Sequence, residues 1–373
     1  MIKRTIFESI KSKLNRGKAI ILVGPRQVGK TTLIKEFLKD EDYLFFDGDD
    51  PSTRTFLDTP NTNQIKNLLG KAKVIFIDEA QRINNIGLTV KIIVDQFKDV
   101  QVWISGSSSF YLYDEFNESL TGRKWEYKLY PISWEEFETK IGYLSADRQL
   151  EDRLVYGMYP DVINNSGEEP QILKELVSSY LYKDILAFGG IKKPDILDKL
   201  VKALALQIGS EVNSNELSLI VGLDRNTVEK YISILEKAYV IFKLPSFSKN
   251  VRNEIKKGKK IYFYDNGIRN AIINSMNKIQ LRTDVGALWE NFLVSERIKQ
   301  NEYKLEFANS YFWRTTQQQE IDYIEEKNLN LHAFEFKWNP LKSGKISKTF
   351  IKNYKAETSI INRNNFREFV KID

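Results

Sequence analysis

With 373 residues the chain exceeds what one hydrophobic core usually serves, so two or three domains are expected. Its 56 Lys and Arg against 50 Asp and Glu give a net charge of +6, which favours an anionic partner such as nucleic acid without selecting one. There is no cysteine and a single histidine, His332, which excludes disulfides, thiolate metal sites, thiol nucleophiles and any histidine cluster.

The N-terminus, Met1 to Glu8, lacks a signal-peptide core, and no window approaches about 18 consecutive apolar residues, so a soluble, cytoplasmic protein without a membrane partner is expected. Residues 5 to 16 read as a short amphipathic helix. Ala19 to Val23 read as an apolar strand, followed by Gly24-Pro25-Arg26-Gln27-Val28-Gly29-Lys30-Thr31-Thr32 and by helical spacing from Leu33 to Leu38. The spacing G-x-x-x-x-G-K-[ST] between a strand and a helix is the P-loop pattern. Its glycines let successive backbone N–H groups turn inward on a polyphosphate that also meets the positive end of the helix. Lys30 is placed to reach the β- and γ-phosphates of ATP and the Thr31 hydroxyl to ligate Mg²⁺.

Tyr43 to Phe46 read as the next strand and Gln64 to Leu69 as part of a helix. Val74-Ile75-Phe76-Ile77 then form a run apolar on both faces, as in a parallel sheet, and end in Asp78-Glu79-Ala80-Gln81. Acidic residues at the carboxyl end of such a strand lie where α/β sheets bind ligands. Asp78 is expected to hold Mg²⁺ through water, and Glu79 to orient or deprotonate the attacking water. A further strand, Gln101 to Ile104, ends in Ser105-Gly106-Ser107-Ser108-Ser109. Ser107, or nearly as well Ser105, is a candidate contact to the γ-phosphate or the water, with a serine-rich turn as the alternative. Alternation of strand and helix signals through residue 131 predicts a doubly wound α/β domain of P-loop type.

Leu120-Thr121-Gly122-Arg123 and Pro131-Ile132-Ser133-Trp134-Glu135-Glu136-Phe137 follow. Together with G-P-R-Q-V-G-K-T-T, I-D-E-A-Q and S-G-S-S, these runs resemble the AAA-type prokaryotic ATPases of the archaeal-ATPase-like group. The resemblance extends over nearly the whole chain and is strongest over residues 18 to 137; Ser179 to Leu186 also resemble the group's connecting segment. It implies a restriction-endonuclease-like end and an arginine that senses or stabilises the γ-phosphate, for which Arg123 is the candidate and Arg26 a weaker one; a structural ion pair is the alternative for Arg123.

Residues 148 to 188 read as largely helical. Ser214 to Leu223 and Asp224 to Glu236 are two short helices meeting at Gly222, the second opened by Asp224, which is a helix-turn-helix pattern. Val240 to Leu244 and Lys260 to Asp265 read as a hairpin, with Lys249, Arg252, Lys256, Lys257 and Lys259 between the strands. That is the layout of a winged helix with a basic wing, suited to DNA phosphates or merely solvated. Gly286 to Ile298 read as a helix bearing Glu290, followed by strands at Tyr311 to Arg314, Glu320 to Ile324 and His332 to Trp338. Strand alternation places Glu335 and Lys337 on one face. An acid on one strand and E-x-K on the next is the PD-(D/E)XK nuclease arrangement, although Ile321 stands where that pattern has proline. In that reading Asp322, Glu335 and Glu290 bind a divalent metal, and Lys337 positions or deprotonates the water.

The expected domains are an AAA-type P-loop ATPase over 1–147, a helical linker and winged helix over 148–268, and a small α/β nuclease-like domain over 269–373. Two functions are carried forward. One is a Mg²⁺-dependent ATPase coupled to a DNA-binding, nuclease-like region. The other is a nucleotide-operated switch or regulator whose C-terminal part binds protein or DNA but cuts nothing. Homo-oligomerisation is open in both.

Overall fold

The computed structural model describes residues 2–107, 119–178, 185, 194–248, 258–315, 317–342, 344 and 346–371. Most of the connecting segment Ser179 to Leu186, the wing residues Lys249, Arg252, Lys256 and Lys257, and Ser108, Ser109, Ser343 and Lys345 lie outside them. The chain divides into two units, one of Lys3–Pro131 with Lys237–Tyr239, the other of Ile132–Glu236 with Val240–Asp373.

The first unit is built on five parallel strands, β1 (Ala19–Val23), β2 (Leu44–Asp47), β3 (Val74–Asp78), β4 (Gln101–Gly106) and β5 (Lys124–Lys128), in the order β2-β3-β4-β1-β5. The apolar runs of β1 and β3 and the full burial of β4 are explained by this order, since these inner strands are covered on both faces. β2, at an edge, instead alternates in burial. β4 lies between β1 and β3, with Val23 opposite Gly106 and Ile77 opposite Ile104. The chain therefore brings the loop after β1, the acids after β3 and the serines after β4 to one end of the sheet. The helix predicted over residues 5 to 16 is realised only over Phe7–Lys11; left-handed Asn15 and Gly17 then turn the chain into β1.

The second unit opens on a motif whose role is architectural. Ser133 caps the helix Trp134–Ile141 in a capping box: the Glu136 amide donates to Ser133 Oγ at 3.2 Å and the Ser133 amide to Glu136 Oε2 at 2.9 Å. Trp134 and Phe137 then enter a core with Trp289, Phe292 and Phe366. Further on, the helices Pro194–Leu206, Ser214–Val221 and Arg225–Lys237 are followed by β7 (Ile241–Pro245) and β8 (Lys259–Phe263), which pair antiparallel and with the two-residue β6 (Glu211–Val212) make the sheet β6-β8-β7. Gly222, left-handed at φ 70°, ends the middle helix, and Asp224 accepts from the Thr227 amide at 3.0 Å to start the third. This is the winged-helix arrangement.

The helix Val285–Tyr303 leads into β9 (Asn309–Arg314), β10 (Glu320–Lys327) and β11 (Asn330–Phe336), an antiparallel meander. The helix Lys348–Tyr354 then crosses over to β12 (Glu357–Ile361), parallel to β11. No helix among the described residues is long and apolar enough to cross a membrane.

This C-terminal sheet is tied to its helix by a buried ion pair. Arg297 donates to both oxygens of Glu325 at 2.8 and 2.6 Å and to the Phe369 carbonyl at 2.7 Å, and Asn301 adds a bond to Glu325 at 3.0 Å. Burial pushes the Glu325 carboxyl up, but these donors outweigh it and hold it below its ordinary value. Its stabilisation is therefore present above the unfolded-state value near ~4.3 and is lost as the pH falls through the folded-state value. Arg297→Ala leaves the buried Glu325 carboxyl without its cationic partner, and is expected to cost about 3–5 kcal/mol in urea unfolding at neutral pH. A loss below about 1 kcal/mol would show that the pair is a surface-type contact.

Candidate nucleotide site and C-terminal acidic cluster

The loop after β1 is fixed by backbone geometry before any ligand is considered. Gly24 has φ 149°, and a Cβ there would lie 2.0 Å from the Leu129 carbonyl oxygen, so no side chain fits. Gly29, left-handed at φ 94°, is the residue from which the helix Lys30–Phe37 starts. Arg4, 6% exposed, spans the loop from outside, donating to the Val28 carbonyl at 2.8 Å and the Tyr130 carbonyl at 2.7 Å. Lys30 turns back over the loop: its Nζ donates to the Gly24 carbonyl at 2.9 Å and the Pro25 carbonyl at 2.7 Å.

The sheet order brings the other residues to this loop. Thr31 Oγ1 donates to Asp78 Oδ2 at 2.9 Å, and Ser105 Oγ to Asp78 Oδ1. Glu79, in the left-handed region at φ 47°, accepts from Gln81 Nε2 at 2.5 Å and Ser107 Oγ at 3.0 Å, and Arg26 stands 4.0 Å away. The two candidate serines thus divide the work, Ser105 on Asp78 and Ser107 on Glu79. Gln81 also donates to Ser107 at 2.9 Å and joins the two. Arg4 and Gln81 were given no role by the sequence pattern. Arg123 donates through Nε to Asp95 at 2.6 Å, a pair that holds the Asp95 carboxyl below its ordinary value.

A P-loop after β1, acids at the end of β3 and Ser105 and Ser107 at the end of β4 between them can be set beside known proteins. Residues 16–138 match an AAA domain. Residues 147–278 and 285–370 match two domains of unknown function. An uncharacterized protein of Mycobacterium tuberculosis is 27% identical over 339 residues, covering 90% of this chain and 74% of that relative. One of Methanocaldococcus jannaschii is 25% identical over 269 residues, covering 66% of this chain and 60% of the relative. The solved structure of a Walker-type ATPase of Pyrococcus abyssi superposes with a TM-score of 0.52 at 15% identity, covering 73% of this chain and 96% of that one, a likeness of fold.

Beyond the AAA domain, the acidic residues singled out in the sequence gather around β8, β10 and β11. Glu335 accepts from Lys337 Nζ at 2.6 Å, so these two share a face as alternation predicts, although β11 itself ends at Phe336. Asp322 Oδ2 accepts from the Phe336 amide at 2.8 Å. Burial, reinforced by Glu290 and Glu335, raises its carboxyl well above the ordinary range. Glu290 is occupied differently: Lys260 Nζ stands 2.9 Å from its Oε1, and Tyr262 OH donates to the same oxygen at 2.6 Å. Lys260 also pairs with Glu320 Oε1 at 2.5 Å. Burial alone would lower the Lys260 ammonium, but Glu290, Glu320 and Asp322 outweigh it and raise it. In the winged helix, Lys259 pairs with Glu229, which Ser214 also contacts.

Proposed function

We propose that the chain is a Mg²⁺-dependent ATP-binding and ATP-hydrolysing protein of AAA type, operating as a nucleotide switch on a DNA-contacting winged helix. The observation that carries the proposal is the meeting of Lys30, Thr31, Asp78, Glu79, Ser105 and Ser107 at the carboxyl ends of β1, β3 and β4. The domain limits proposed are those expected from the sequence, 1–147, 148–268 and 269–373, although residues from Ile132 onward, with the helix Trp134–Ile141, pack in the second unit.

Bound ATP would take the loop Gly24 to Thr32, and Lys30 would exchange the Gly24 and Pro25 carbonyls for phosphate oxygens. Thr31 and Asp78, already joined by a hydrogen bond, fit a Mg²⁺ ion, with Thr31 as direct ligand and Asp78 acting through water; the ion supplies neutralisation of phosphate charge. Glu79 takes the water's proton or orients it, with Gln81 and Ser107 fixing its carboxylate. Asp95 holds Arg123 as a structural partner.

The helix-turn-helix geometry and the basic composition of the wing support DNA as the partner, through Arg252, Lys256, Lys257 and Lys259. A fluorescence anisotropy titration of duplex DNA tests this. If Lys249 joins those four, the log affinity should fall against log salt with a slope of about −4.5. It should also differ between ATP and ADP. Absence of binding at low salt would remove DNA from the account and leave a protein partner. For the C-terminal sheet the same reading takes a domain that contacts a partner without cutting. The carboxylates Asp322 and Glu335 with Lys337 are the ground for a nuclease, and Lys260, whose ammonium pairs with Glu290 and Glu320, is the ground against it.

A further inference from the structure

A divalent-metal nuclease centre needs several carboxylate oxygens free to converge on one hard cation. Among the described residues, no three His, Asp or Glu side chains are placed to hold a metal ion. The reason lies in β8. Lys260, only 1% exposed, runs from the hairpin strand into the acidic cluster and puts its ammonium 2.9 Å from Glu290 and 2.5 Å from Glu320. Tyr262, two residues along the same strand and fully buried, donates to the Glu290 oxygen that Lys260 also touches. Asp322 is engaged by the Phe336 amide and Glu335 by Lys337. Arg314 stands 3.9 Å from the far oxygen of Glu320. Every carboxylate of the cluster already has a protein donor, and the residues do not fit a divalent ion.

A buried ammonium is expensive unless it is paired and hydrogen-bonded, so its position here is specified rather than incidental. We propose that Lys260 is the resident cation of this cluster, and that the cluster is a metal-independent tie between the wing strand β8, the helix Val285–Tyr303 and strand β10. The charge that a metal would supply comes from the chain itself. In a domain built this way the acids serve as anchoring points for the winged helix. The inference stands on residues of the second unit alone, so a failure of nucleotide binding would leave it untouched.

The test counts Mn²⁺ ions by paramagnetic resonance on the nucleotide-free full chain, in an Asp78→Asn background that removes the P-loop contribution. With Lys260 present, no Mn²⁺ should bind at the cluster, and adding Asp322→Asn should change nothing. With Lys260→Met, whose chain has similar volume without the charge, one Mn²⁺ equivalent should appear, with affinity raised at least about tenfold by removal of a like charge at contact distance. Mn²⁺ bound by the Lys260 protein and lost with Asp322→Asn would overturn the proposal. So would a folded Lys260→Met protein that gains no ion. Should that variant fail to fold, plasmid cleavage decides on its own. The chain with Lys260 should leave plasmid DNA uncut in Mg²⁺ or Mn²⁺, and cutting that disappears in Asp322→Ala would overturn the proposal.

Discussion

Lys30→Ala should abolish measurable ATP binding while the protein stays folded. Lys30 is 5% exposed, and its ammonium bonds to the Gly24 and Pro25 carbonyls of the loop that the phosphates would occupy. A charge-assisted hydrogen bond is worth about 1.5–3 kcal/mol, and two are lost on the polyphosphate, so affinity should fall by a factor of about 10² or more. The fold should survive because the loop is held independently. The Leu129 carbonyl excludes any residue but glycine at 24, and Arg4 fixes the Val28 carbonyl. Calorimetric titration of ATP with Mg²⁺ reads the effect, and circular dichroism confirms folding. Unchanged affinity in a folded variant would remove the P-loop assignment.

Much of this site was legible in the sequence because its residues are contiguous with their secondary structure. The P-loop glycines, Lys30 and Thr31 lie within one strand-loop-helix run, and Asp78 and Glu79 follow an apolar strand directly. The strand order that places β4 between them is a long-range property, so the sequence left Ser105 and Ser107 as alternatives, whereas each engages a different acid. Arg4 lies 24 residues from the carbonyl it fixes, and no local period marks it. The same holds for Lys260, which reads in Lys259-Lys260-Ile261-Tyr262 as the end of a basic wing; only pairing of β8 with β7 and the packing of the helix Val285–Tyr303 bring it to Glu290. The E-x-K alternation was visible because strand geometry determines it over two residues. The ion that the acids receive was not, because its source lies 30 residues from Glu290. The P-I-S-W-x-E-F run shows the converse, a motif noticed through resemblance whose role is a helix cap and a core tryptophan.

Glu79→Gln should separate binding from hydrolysis. The amide has the size of the carboxylate and remains within reach of Gln81 and Ser107, and glutamine tolerates the left-handed backbone as glutamate does. It cannot accept the water's proton. Loss of a general base or water-positioning group costs about 10²–10⁴ in rate, so turnover should fall by at least about 10² with ATP affinity near that of the wild type. The variant is then a trapped ATP state in which the winged helix can be assayed without turnover.

The measurement closest to the central claim is release of inorganic phosphate from ATP by the wild-type chain beside Glu79→Gln, each with Mg²⁺ and with Mg²⁺ chelated by EDTA. Phosphate should be released by the wild type only with Mg²⁺, and by the variant at no more than about a hundredth of that rate. Equal turnover in the two proteins, or release that EDTA leaves unchanged, would contradict an ATPase centred on Thr31, Asp78 and Glu79.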